Sequence, residues 1–289
     1  MFQLIPLSVL GAFLLPNIQA YPQQLKTAVT TENLYFVLSA TNLPFKDVNK
    51  GVADPFAKVY YGIIPQNLKK NKFEGFDRIG TSEKLSSDAN PKWNTVFKLP
   101  YEKGSQKKLW IEIRDHDPIN PDDLIGDAFI TPEEYLSHGG KITVPIWDAK
   151  NGTNGGSVKM EKTEPFSFVL EIKNVPHLDE FDSFSDPYVK CYFLSDGEEG
   201  KGVKFYETPP LQNVEHGGWE IPIRFDNYMK GTRQSLRFKV KDSDAITSDD
   251  DIGEAVMEID QFVESRAPHT LSLSNSNNAS LIVRYWDDK

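Results

Sequence analysis

One cysteine, Cys191, stands among the 289 residues. It cannot form a disulfide within the chain, and a zinc site built on paired cysteines is excluded. Positive charge is also in deficit, with 32 Lys and Arg against 42 Asp and Glu, a net charge of -10. Binding nucleic acid by phosphate neutralisation needs the opposite balance, so no nucleic-acid partner is expected. Unassisted attraction to an anionic membrane is disfavoured for the same reason.

Catalytic signatures are missing as well. There is no Gly-x-Ser-x-Gly elbow, no Cys–His arrangement and no phosphate-binding glycine loop. The histidines, His116, His138, His177, His216 and His269, do not cluster in sequence. The chain is therefore expected not to be an enzyme.

The apolar run Leu4 to Leu15 is broken by Pro16, and its twelve residues fall short of the roughly 20 that a spanning helix requires. Followed by Asn17 to Ala20, it reads as a signal peptide over residues 1–20, although the first basic residue is Lys26. Two acceptor sequons begin at Asn151 and Asn278, as expected for a secreted, extracellular glycoprotein.

What the chain does have is aromatic and apolar material in alternation: 18 Phe, 11 Tyr and 5 Trp supply packed cores. In Lys108 to Ile113 the residues Leu109, Ile111 and Ile113 share one face, and in Ser235 to Val240 so do Leu236, Phe238 and Val240. Such runs are separated by loops rich in Asp, Asn, Gly and Pro, with no long segment of 3.6-residue period. An all-β fold of antiparallel sandwiches follows.

The loops recur. Asn42-Leu43-Pro44-Phe45-Lys46-Asp47, then Asp54-Pro55-Phe56, returns as Asn174-Val175-Pro176-His177-Leu178-Asp179, then Asp186-Pro187-Tyr188. Asp115-His116-Asp117, then Asp123-Leu124-Ile125-Gly126, returns as Asp242-Ser243-Asp244, then Asp250-Asp251-Ile252-Gly253. Trp93-Asn94 and Trp219-Glu220 lie between them. A unit of domain size is thus duplicated, with one copy at 28–161, the other at 165–287, and a boundary near Glu161 to Glu164.

These two ordered loop motifs resemble the calcium-binding C2 domain, here in tandem, with one residue more between the loop-one aspartates than the family usually has. The resemblance implies two eight-stranded antiparallel β-sandwiches. In each copy the first recognisable strand runs directly into loop one and a strand follows the last polar loop, which resembles the permuted topology with a terminal last strand.

The family implies two to three Ca²⁺ per domain. Calcium takes six to eight hard oxygen ligands, which converging Asp side chains can supply, whereas transition metals favour His or Cys. The implied ligands are Asp47, Asp54, Asp115, Asp117, Asn120 and Asp123 in the first copy. Those in the second are Asp179, Asp186, Asp242, Asp244, Thr247 and Asp250. His116, whose strand neighbours alternate away from it, reads as a surface residue.

By the same resemblance, bound calcium would bridge these carboxylates to anionic phospholipid while apolar loop tips, Val48, Ile119, Phe181, Phe184 and Ile246, enter the interface. The Phe residues could instead fold back onto the sandwich edge. Connections in an antiparallel sandwich alternate ends, which puts the loops of Asn151 and Asn278 at the calcium end. Glycans there would obstruct docking. A calcium-rigidified module that binds an extracellular protein or glycan is accordingly the alternative to calcium-dependent membrane binding.

The charge is uneven: residues 28–161 hold 18 acidic and 17 basic side chains, residues 162–289 hold 24 and 14. If calcium binds, the acidity that argues against an anionic partner becomes the means of reaching one.

Overall fold

The computed structural model describes residues 31–44, 52–64, 75–148, 153–178, 184–195, 200–244, 248–276 and 278–287. Sixteen strands and two short helices are placed among them. The first eight strands are β1 Thr31–Thr41, β2 Pro55–Gly62, β3 Phe76–Thr81, β4 Phe97–Glu102, β5 Lys108–Asp115, β6 Asp123–Ile130, β7 Lys141–Asp148 and β8 Thr153–Lys162, with α1 Pro132–Ser137 between β6 and β7. The second eight are β9 Phe166–Lys173, β10 Pro187–Leu194, β11 Val203–Glu207, β12 Gly217–Phe225, β13 Ser235–Asp242, β14 Asp251–Glu258, β15 His269–Ser272 and β16 Ser280–Trp286, with α2 Ile259–Ser265 between β14 and β15.

The order β3-β2-β5-β6-β7-β8-β1-β4 in the first half corresponds, strand for strand, to β11-β10-β13-β14 and β12-β9-β16-β15 in the second. All these pairings are antiparallel. The last strand of each half lies beside its first, with Phe36 opposite Lys162 and Trp286 opposite Ser167. That is the permuted sandwich expected from the order of strands and loops.

Alternation builds both cores. Leu34, Phe36, Leu38 and Ala40 of β1 point inward and are buried, as are Phe166, Phe168, Leu170 and Ile172 of β9. Each sandwich has its own cluster, one around Phe36, Leu38, Ile111 and Ile113, the other around Phe168, Leu170, Phe238 and Val240. A fully buried side chain of this kind contributes about 1.5–3 kcal/mol relative to exposure. Trp93 and Trp219 occupy equivalent buried places, and their indole N–H groups donate to the carbonyls of Pro55 at 3.2 Å and Pro209 at 2.7 Å.

The Ile-Gly pair that closes each loop-three motif has a packing reason. Ile125 and Ile252 enter the cores. A Cβ on Gly126 would lie 2.7 Å from Ile146 Cγ2 and 2.8 Å from the Trp147 carbonyl oxygen, and one on Gly253 would overlap the Ser274 carbonyl oxygen. The backbone leaving each helix crosses here. In the first half the crossing is a strand pair, Asp127 opposite Trp147, so its two sheets are continuous. In the second, Ser274 N–H donates to the Glu254 carbonyl at 2.9 Å and Glu254 N–H to Ser274 Oγ at 3.0 Å.

Both helices escape a reading based on period, because six and seven residues give no repeat to recognise. A local signal for α1 was present: Thr131-Pro132-Glu133-Glu134 supplies a capping hydroxyl, which accepts from Glu134 N–H at 3.1 Å, and a proline in the first turn. Among the described residues no helix is long and apolar enough to cross a membrane.

Cys191 is fully buried on β10, and burial raises its thiol pKa far above the ordinary value. It should resist a thiol reagent in native buffer and react as one equivalent after denaturation, a difference that absorbance at the reagent's leaving group would measure.

Candidate functional site

The inward row of β5 runs Leu109, Ile111, Ile113, Asp115, and that of β13 runs Leu236, Phe238, Val240, Asp242. Strand parity therefore carries a carboxylate to the rim of each core, where Asp115 is 2 % exposed and Asp242 1 %. Desolvation makes a charge there costly unless donors or a cation meet it.

In both halves the loop-one aspartate meets that buried carboxylate. Asp54 N–H donates to Asp115 Oδ1 at 2.7 Å, and Asp186 N–H to Asp242 Oδ1 at 2.6 Å. The same aspartates accept through their carbonyls, from His116 N–H at 3.0 Å and Ser243 N–H at 3.1 Å. Their own carboxylates are fixed by the next loop: Ser87 N–H donates to Asp54 Oδ1 at 2.7 Å, and Asn213 N–H to Asp186 Oδ1 at 2.6 Å. Ser87 and Asn213 both have φ of 52°, left-handed backbone that aims their N–H groups at the carboxylate.

Sequence reasoning missed this pair of donors. A backbone N–H has no side-chain signature, and the two residues differ in type.

Asn42 and Asn174, at the exits of β1 and β9, share the left-handed conformation with φ of 57° and 53°. Asparagine tolerates it better than most residues, which suits the repeated turn into loop one.

Loop three supplies Asp117 and Asp244, both half-buried, and Asp123 and Asp250, both exposed. Asp123 sits opposite Asp115 in the β5–β6 register, and the Asp250 carbonyl accepts from Asp242 N–H at 2.9 Å. Asn120 is exposed, and the neighbouring Ile119 is 92 % exposed.

Asp47, Val48, Asn151, Asp179, Phe181, Ile246 and Thr247 lie outside the described residues. Among the described residues no group of three or more His, Cys, Asp or Glu side chains is arranged to hold a metal ion. What they do bring together is Asp54 with Asp115 and Asp186 with Asp242. This hard-oxygen pair, seated on neutral N–H donors at the core rim, fits a calcium ion in type while leaving further ligands to the adjoining loops.

Two expectations change. His116 is half-buried and faces its own loop, with Nδ1 2.8 Å from Asp122 Oδ1. Strand parity still turns it away from the core, but Asp122 Oδ1 and Lys84 Nζ, at 2.8 and 3.0 Å from Nδ1, cover the ring. Phe184 is half-buried against loop residues instead of standing free: its ring centroid is 4.2 Å from that of His177 and its N–H is held by Asn213 Oδ1 at 2.8 Å.

Asp122 and Asp249, each just before the last loop-three aspartate, also emerge. The hydrogen bond from His116 holds the Asp122 carboxyl below its usual range, and that from the Tyr188 hydroxyl, at 2.5 Å, does so for Asp249. The Asp122-Asp123 pair and the run Asp249-Asp250-Asp251 were the visible signal for them.

A family model for the C2 domain matches residues 35–146 and again 167–273. The chain belongs to the C2 domain family. Its two C2 domains are similar to human synaptotagmin-3, 28% identical over 233 residues and covering 75% of this chain and 36% of the relative. Human synaptotagmin-7 is 27% identical over 229 residues, covering 75% and 53%. Synaptotagmin-A of Diplobatis ommata is 27% identical over 272 residues, covering 87% and 54%.

The chain thus spans from about a third to about half the length of these relatives. Among solved structures, the paired C2 domains of extended-synaptotagmin 2 align with a TM-score of 0.39 at 16% identity over 95% of this chain and 98% of that one. The calcium-bound form of those domains aligns with 0.39 at 17% identity over 90% and 99%.

Proposed function

We propose that this tandem C2 protein binds calcium through loops one and three of each domain, two to three Ca²⁺ per domain, and thereby docks on anionic phospholipid. The observation that carries the reading is the doubled junction: Asp54 on buried Asp115, and Asp186 on buried Asp242, with the same N–H donors in both copies. Two independent loops have no reason to converge on buried carboxylates twice unless a cation completes the charge balance.

Ile119 extends the reading to the membrane. Its side chain stands in water at the end of loop three, where transfer to a lipid interface would remove apolar surface from solvent. Without calcium the carboxylates repel an anionic bilayer, and with it the local sign reverses. No catalytic step belongs to this reading.

Sedimentation with phosphatidylserine-containing vesicles should recover the protein in calcium and leave it in the supernatant with chelator. Equal recovery in both would refute the proposal.

The leader-like segment at 1–20 supports export, so the proposed place of action is extracellular, where abundant calcium suits sites with dissociation constants on the order of 10⁻⁴ to 10⁻³ M. A mass measurement on protein recovered from the medium should match a chain lacking those residues.

One observation favours the second reading, a calcium-stiffened module for an extracellular protein or glycan. Asn278 is exposed, and its carbonyl accepts from Asn174 Nδ2 at 3.1 Å, which sets this sequon beside loop one. A glycan at Asn278 would crowd the docking end of the second domain. Enzymatic deglycosylation that leaves vesicle binding absent would favour that module over the membrane.

A further inference from the structure

Loop three carries in each domain a further aspartate, Asp122 or Asp249, beside the three assigned as ligands. We propose that these two are positioning residues, latches that hold the loop-three ligands in place for the cation without touching it. The proposal rests on the calcium reading above.

The latch is built from three connections, repeated with different chemistry. The first runs through the backbone: the Asp122 carbonyl accepts from Arg114 Nη2 at 2.7 Å, and the Asp249 carbonyl from Lys241 Nζ at 2.7 Å. Arg114 and Lys241 immediately precede the buried ligands Asp115 and Asp242, so the far side of the loop is tied to the strand that delivers them.

The second connection reaches the middle of the loop. Asp244 N–H points to Asp249 Oδ1 at 3.4 Å, and the Asp117 backbone N–H faces Asp122 in the same way. The third spends the rest of the carboxylate on a side-chain donor, His116 Nδ1 in the first domain and the Tyr188 hydroxyl in the second.

These carboxylates are engaged within the protein, Asp122 by its own loop and Asp249 by its loop and by Tyr188 of β10. The two latches differ in anchorage. His116 belongs to the loop it closes and is met from outside it by Lys84 Nζ, 3.0 Å from Nδ1, whereas Tyr188 is a buried residue of β10, the strand paired with β13. The second domain's loop is therefore tied directly to a neighbouring strand.

Calcium titration of the full chain, followed by the amide resonances of Gly126 and Gly253 as separate reporters for the two domains, tests this. Asp249→Ala should weaken calcium binding at Gly253 about tenfold and leave Gly126 unchanged. Asp249→Asn, which keeps an acceptor but loses the charge, should restore most of the affinity. Tyr188→Phe should fall between them, with melting in chelator close to wild type for all three.

Asp249→Asn as weak as Asp249→Ala would make Asp249 a direct ligand and overturn the proposal. Wild-type affinity in both Asp249→Ala and Tyr188→Phe would overturn it as well. A wild-type chain without calcium-dependent shifts would bring down the calcium reading itself, a result distinct from either.

Discussion

Asp115→Asn and Asp242→Asn, combined in one chain, should abolish calcium-dependent vesicle binding and weaken calcium affinity by about a hundredfold, or roughly 3 kcal/mol. The substitution isolates charge. Asparagine retains an oxygen that can accept the N–H of Asp54 or Asp186, now bonded at 2.7 and 2.6 Å. The loop junction therefore keeps its geometry while the core rim loses its negative charge.

Because the carboxylate is buried, its attraction to a divalent ion is poorly screened, and the loss exceeds that of a surface aspartate. Relief of like-charge repulsion should leave the melting temperature in chelator equal to or above wild type. Calorimetric titration with a paired melt in chelator checks both parts. Unchanged affinity with a lowered melting temperature would mark these aspartates as structural only.

Gly253→Ala should destabilise the second domain by about 3 kcal/mol, within the range for overpacking a tight site, and lower its melting temperature by roughly 12 °C. The new methyl group would collide with the Ser274 carbonyl oxygen and come 3.1 Å from Leu273 Cβ, and a main-chain atom cannot rotate away. Gly126→Ala should cost less. Its nearest clash, at 2.7 Å, is with the Cγ2 of Ile146, a side-chain atom with some freedom to move, and the Trp147 carbonyl stands at 2.8 Å. Differential scanning of the two variants should show the second-domain change to be the larger.

The sequence exposed those features that repeat at the period of a strand. Leu109, Ile111 and Ile113 predicted a buried face, and Asp115 is the next residue of that face, so the most buried acidic position of the first domain was legible before any coordinates. The last strand beside the first was also readable, from the order of strands and loops.

Less visible were contacts made by the backbone. Ser87 and Asn213 reach their aspartates through N–H groups, across 33 and 27 residues, and nothing in their side chains announces it. A surface reading of His116 falls short because its ring is covered by Asp122 and by Lys84, and Lys84 lies 32 residues away in sequence. Phe184 is undecidable from sequence for a related reason: the partner that secures it, Asn213, lies 29 residues away.

The adjacency of first and last strands has a mechanical meaning. Phe36 opposite Lys162 and Trp286 opposite Ser167 put the entry and exit of each sandwich side by side on antiparallel neighbours. Tension between those two points pulls along the hydrogen bonds, which lie perpendicular to antiparallel strands, and loads them one after another. Each sandwich should open like a zipper at low force, so a protein stretched between two anchors would lengthen by peeling its terminal strands while loops one and three, at the opposite end, stay assembled.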